Sequence, residues 1–231
     1  MVDEAYVERL ERIIQQMLQP LRNIPFNLVI KALSGCEVIP FDPNDEYDVR
    51  LLGKLRQIAH IAGRRMNRAG IRARRPNEVG NYIEPHIRKA FDELGIEANI
   101  PETQRGRKKA AGYPDIIFYF EGRPNYLECK TYNARNIKTT QRSFYLSPPA
   151  KREDFKVSYD AHHFLLSYEA VRVAPQDEQG MATYKFSNWK LLALDNLLLD
   201  VKYEFNSDNA RLYGLEGGAR LLAEEALDMR G

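Results

Sequence analysis

The stretch "YPDIIFYFEGRPNYLECK", residues 113–130, decides how the rest of the chain is read. Its aromatic and β-branched residues form two strand-like runs, and "EGRPN" between them is a turn. Side chains alternate between the two faces of a strand, so Glu128 and Lys130 share a face and Cys129 takes the other. Taking Gly122 and Arg123 as the loop residues makes an antiparallel hairpin with Asp115 opposite Lys130 and diagonal to Glu128. All three then meet on one side of the sheet, whereas a slip of one residue would turn Asp115 to the wrong face. Two carboxylates gathered on a partly buried surface need cations to offset them. Lys130 supplies one charge and a divalent metal supplies the rest, hard carboxylate oxygens selecting Mg²⁺ or Mn²⁺. A lysine beside a metal-bound water can orient and stabilise the attacking hydroxide.

Upstream of the hairpin the text is helical. Apolar residues at three- and four-residue spacing (Leu10, Ile13, Ile14, Met17) predict an amphipathic helix ended by Pro20. "PFNLVIKALSG" predicts a short helix closed by Gly35, and residues 49–70 predict a long one. "NEVGNYIEPHIRKAFDELG" predicts another, with Pro85 either in its first turn or kinking it. Strands are predicted at "IEANIP", "PDIIFYF", "NYLECKTY", "HHFLLSYEAVRV", "MATYKF" and "LLLDVKYEF". "NWKLLALDN" reads as a short helix and "EGGARLLAEEALDMR" as a C-terminal one. Helices followed by strands and mixed elements predict an α/β fold, with a helical, arginine-rich lobe over residues 1–76 and a second domain over 77–231.

The chain has 231 residues, 44% of them hydrophobic, enough to bury a core. No stretch approaches a membrane span, and the N-terminus lacks the pattern of a secretory signal. Two cysteines, Cys36 and Cys129, without ligand-like spacing fit a reducing cytoplasm and argue against a zinc site. The net charge is only +2, but it is unevenly spread. Residues 49–77 hold Arg50, Lys54, Arg56, Arg64, Arg65, Arg68, Arg72, Arg74 and Arg75 and no acid. A solvated helix face ordinarily mixes both signs, so this run points to a polyanion such as nucleic acid. Arg105 and Arg107 add to it, and Lys138, Thr140, Gln141, Arg142 and Ser143 follow the hairpin as donors for phosphates or base edges. His162 and His163 read as structural histidines, Tyr119 and Phe120 as core, and Met17 and Met66 as packing.

Pro114-Asp115 followed by Glu128-Cys129-Lys130 resembles the PD-(D/E)xK signature of the restriction-endonuclease-like nucleases. The resemblance covers about residues 77–173 and implies a central mixed β-sheet flanked by helices. It implies Asp115 and Glu128 as metal ligands, assisted by the backbone carbonyl of Cys129, with Lys130 as the catalytic lysine. It further implies an acid on the helix before the sheet, for which Glu84 stands in place and Glu78 is second choice. The implied activity is Mg²⁺-dependent hydrolysis of DNA phosphodiesters, with Mn²⁺ as a substitute. Together with the chain's size it points to a type II restriction endonuclease in a prokaryotic cytoplasm, cutting double-stranded DNA as a homodimer. A repair or recombination nuclease of the same fold, a non-catalytic DNA-binding module and a two-carboxylate sugar hydrolase are the alternatives. Cleavage of intact plasmid into discrete fragments separates the first from a restriction enzyme. Absence of cutting in Mg²⁺ would mark the second, and the third has no need of Lys130 or the arginines.

Overall fold

The computed structural model describes residues 4–19, 21–108, 112–133, 144–148 and 151–201. Asn23–Leu199 forms one compact unit, which runs across the boundary drawn between residues 76 and 77. Helix α1, Glu4–Leu18, belongs to a second unit; none of its residues is buried, and Met17 is exposed rather than packed.

Within the larger unit each helix has a physical start and stop. Helix α2, Phe26–Ser34, ends at Gly35, whose φ of 82° lets its N–H reach the carbonyl of Lys31. Helix α3, Glu46–Ala69, starts at Asp45, whose side chain accepts from the N–H of Asp48. Helix α4, Glu84–Glu93, carries Pro85 in its first turn, where a missing N–H costs no helical hydrogen bond. A 3₁₀ segment, Pro76–Tyr82, precedes α4.

Among the described residues the strands are β1 (Ile24–Pro25), β2 (Ile71–Ala73), β3 (Ala98–Asn99), β4 (Ile116–Phe120), β5 (Arg123–Tyr132), β6 (His162–Ala174), β7 (Ala182–Ala193) and β8 (Leu198–Leu199). β1 and β8 pair with each other; the other six form a sheet in the order β2-β7-β6-β5-β4-β3. Only β5 and β6 run parallel within it, so the sheet is mixed. Its two faces feed separate cores. Ile116, Phe118, Leu127, Cys129, Phe164 and Leu166 pack under α3 and α4. Ile117, Tyr126 and Leu165, their alternates, pack with Phe26 and Ile30 of α2. The expected α/β architecture, a mixed sheet between helices, is what the chain adopts.

Three expectations are corrected. "NWKLLALDN" is not a helix: residues to Ala193 continue β7, with Tyr168 opposite Trp189 and Leu166 opposite Leu191. Leu, Lys and Ala favour helix locally, but pairing along β6 overrides that preference. Of "LLLDVKYEF" the described residues, to 201, form the two-residue β8, and its last four residues lie outside the described residues. The hairpin turn is Glu121-Gly122 rather than Gly122-Arg123, since Phe120 pairs with Arg123 and Ile116 with Leu127. Both turn residues have positive φ, 48° and 76°, the requirement of a two-residue turn matched to strand twist. The pairing moves by one step on each strand, which leaves every side chain on its predicted face. Asp115 accordingly lies level with Glu128 instead of Lys130.

Candidate active site

Asp115 stands at the entrance to β4, and Glu128 and Lys130 lie near the far end of β5, its neighbour. Asp115 Oδ2 accepts the backbone N–H of Cys129 at 2.8 Å, which ties the turn before β4 to this part of β5. Lys130 Nζ bonds Glu128 Oε1 at 2.8 Å. The Cys129 side chain turns to the opposite core, as strand alternation requires. The sheet therefore brings Asp115, Glu128 and Lys130 together.

Glu128 is 3% exposed, and its Oε2 is buried without a hydrogen-bond partner. Asp115 lies within hydrogen-bonding reach of Glu128, and once both carboxylates are ionised they have no proton to share. Burial, with Asp115 alongside, pushes Glu128 up to about 7 against the pull of Lys130 and Lys156. Asp115 is also raised by burial, opposed by the Cys129 N–H and the same two lysines. Burial draws Lys130 down, but Glu128 beside it prevails and the ammonium is held more firmly than usual. Two buried carboxylates side by side, one with an oxygen that has no partner, are donors of the kind that hold a hard divalent cation. Among the described residues no three His, Cys, Asp or Glu side chains converge as ligands, so such an ion would rest on the two carboxylates and the Cys129 carbonyl, completed by water and phosphate oxygen.

Glu84 opens α4 and is engaged by Arg88, with Nε 3.0 Å from Oε1. Burial raises it, Arg88 opposes that, and the charge of Asp115 reaches it. Glu78 is committed elsewhere: its Oε2 accepts from the backbone N–H groups of Arg74 and Arg75.

The chain before Asp115 is braced. Tyr113 Oη and His163 Nδ1 are 2.6 Å apart in the core, and their rings stack at 5.9 Å. Burial, reinforced by His162, lowers His163 to about 3, so it is neutral and accepts the tyrosine proton. His162 lies between the carbonyl of Ile39 and Asp48 Oδ1, each at 3.0 Å. Both histidines are structural, as the sequence suggested.

The arginines do not gather around the acids as one group. Helix α3 covers the sheet face opposite Asp115 and Glu128, and Arg64 and Arg68 are exposed on its last turns. Arg65 is engaged by Glu93 and the His86 carbonyl, and Arg72 by Asp177. Arg74 and Arg75 are exposed and lead into the 3₁₀ segment, where Gly80 backs onto Thr131 near the end of β5. Arg105 bonds Glu153 at 3.1 Å, while Arg107 is exposed. Lys138, Thr140, Gln141, Arg142 and Ser143 lie outside the described residues, as does the predicted C-terminal helix.

Lys156 carries no signal in the sequence that marks it for the site. It lies in "FKV" between two apolar neighbours, a pattern that reads as an exposed strand position. Instead it is buried, and its charge acts on Asp115, Glu128 and Glu84.

A mixed sheet with helices on both faces, and an acid pair beside a lysine on neighbouring strands, place the protein in the restriction-endonuclease-like class. The model of the type II restriction enzyme MjaV family matches residues 20–216. The type II restriction enzyme MjaV of Methanocaldococcus jannaschii is 33% identical over 226 residues, covering 92% of this chain and 95% of that protein. The chain belongs to the MjaV family of type II restriction enzymes. No solved structure matches it.

Proposed function

We propose that the protein is a site-specific deoxyribonuclease that hydrolyses phosphodiester bonds of double-stranded DNA at Asp115, Glu128 and Lys130, with Mg²⁺ as its metal and Mn²⁺ as a substitute. Enzymes of this class use a divalent metal, which polarises the phosphoryl oxygen and acidifies its bound water. Asp115, Glu128 and the carbonyl of Cys129 would hold the ion. Lys130, kept protonated by Glu128, orients the attacking hydroxide and offsets the charge that builds on the phosphate. Glu84 sits at the edge of this group and adds negative charge towards Asp115. Arg74 and Arg75 bear on the DNA backbone at the same end of the sheet, with Arg64, Arg68 and Arg107 as more distant contacts. A palindromic target is cut by two copies related by a two-fold axis, one site for each strand, in the cytoplasm of a prokaryotic cell.

The observation that carries this is the unpartnered Oε2 of Glu128 beside Asp115 and Lys130. Plasmid DNA incubated with the protein in Mg²⁺ should yield discrete fragments with one shared end sequence, and none in EDTA. Random degradation, or no cutting in Mg²⁺ or Mn²⁺, would refute it. Sedimentation of the protein with a duplex carrying that site should show two chains per duplex.

A further inference from the structure

Lys156 is 2% exposed, and burying an ammonium is costly unless opposite charges face it. It lines a cleft of about 510 Å³ together with Ile117 and Tyr126, residues on the sheet face that carries Asp115 and Glu128. Its charge reaches Asp115, Glu128 and Glu84. The backbone around it is pinned on both sides. Gln104 donates from N to the Phe155 carbonyl and from Nε2 to the Val157 carbonyl, each at 3.3 Å. Tyr126 Oη accepts the N–H groups of Ser158 and Tyr159 at 2.8 and 3.3 Å. Phe155 and Val157 are themselves core residues, so the chain that carries Lys156 is held in register with the acids.

The charges then balance. Asp115 and Glu128 are offset by Lys130, which pairs with Glu128, and by the charge of the buried Lys156, and Glu84 is offset by Arg88. A dication entering a set of groups with no net charge gains little electrostatically, whereas a DNA phosphate brings the missing negative charge.

We propose that Lys156 is a positioning residue that balances the acid pair in the free protein, so that a divalent cation binds tightly there only together with DNA. This rests on Asp115 and Glu128 being the metal ligands. By linkage, whatever DNA does for the metal, the metal does for DNA.

Calcium binding, measured by calorimetry at about pH 8.5 so that carboxylates are ionised, tests it without any cleavage readout. Lys156→Met should bind Ca²⁺ ~tenfold more tightly than the wild type in the absence of DNA, a coupling of ordinary size. Lys156→Arg, which keeps the charge, should bind it as weakly as the wild type. Adding a duplex that contains the mapped cut site, checked by gel to be intact, should tighten Ca²⁺ binding to the wild type and scarcely change it in Lys156→Met. Lys156→Met binding Ca²⁺ no more tightly than the wild type would overturn the proposal. Should Lys156→Met not fold without metal, the melting temperature of Lys156→Gln is followed as Ca²⁺ is added, and a rise larger than in the wild type is expected. Failure of both variants to fold even in excess Ca²⁺ would make Lys156 a structural residue and also overturn it. Failure of the nuclease reading is separate: plasmid would stay uncut, and Asp115→Asn and Glu128→Gln would leave Ca²⁺ binding unchanged, whatever Lys156 does.

Discussion

Glu128 is a residue the fold would be more stable without. Its side chain is buried, one oxygen is held by Lys130 and the other has no partner. In the unfolded chain it loses its proton near 4.5; in the fold it keeps it to about 7. Ionisation above the lower value therefore favours the unfolded chain, and the penalty grows until the higher value is passed. Glu128→Gln should raise the melting temperature of the metal-free protein at pH 8 and leave it unchanged at pH 4, a gain of at most roughly 3 kcal/mol. Scanning calorimetry of the metal-free protein at both pH values checks this. Lys130 should behave in the opposite way, contributing to rate more than to stability. Lys130→Ala should lower cleavage at least ~100-fold while gel-shift affinity for DNA in EDTA is retained. A variant cutting at the wild-type rate would remove Lys130 from the mechanism.

At the scale of elements, what matters is how the strands are held in register. The Glu121-Gly122 turn sets the pairing of β4 with β5, and through it the distance between Asp115 and Glu128. Gly122 has φ 76° and open space around the position of a Cβ, so Gly122→Ala meets strain without a clash. It should destabilise the protein by about 1 kcal/mol and is read from the midpoint of urea unfolding. The start of α3 is tied to the start of β6 by the buried pair of Asp48 and His162. Asp48 also accepts the N–H of Asp42, so Asp48→Ala leaves buried donors without a partner and should cost about 1–3 kcal/mol, again by urea unfolding.

For the whole molecule the question is which basic residues meet DNA. The arginine run from residue 49 to 77 is one continuous feature of the sequence but is divided in space. Arg50 pairs with Glu121, Arg65 with Glu93 and Arg72 with Asp177, while Arg74 and Arg75 are exposed just after β2. Neutralising Arg74 and Arg75 should flatten the salt dependence of DNA binding, by a slope of about 0.9 for each phosphate that is no longer neutralised. Replacing Arg65 should act on stability and leave that slope unchanged. Anisotropy titrations across a range of salt concentrations separate the two outcomes.

The helices of the larger unit, the hairpin with the faces of its strands, and the meeting of Asp115 with Glu128 and Lys130 follow from the sequence by itself, because strand alternation and helix capping are local rules; the short strands β1 and β2 do not. A hairpin joined by a short turn brings its two strands together with little chain to close. The family follows as well, because a signature split across one hairpin is almost a local feature. Tertiary structure decided the rest. It alone made residues 187–193 a strand, since the pairing partner in β6 outweighs a local helical preference. It alone turned Arg65 and Arg72 towards Glu93 and Asp177, distant in sequence. It alone buried Lys156, brought in from beyond the hairpin, against acids that no spacing rule connects to it, because long-range charge and packing are not written in the order of the residues.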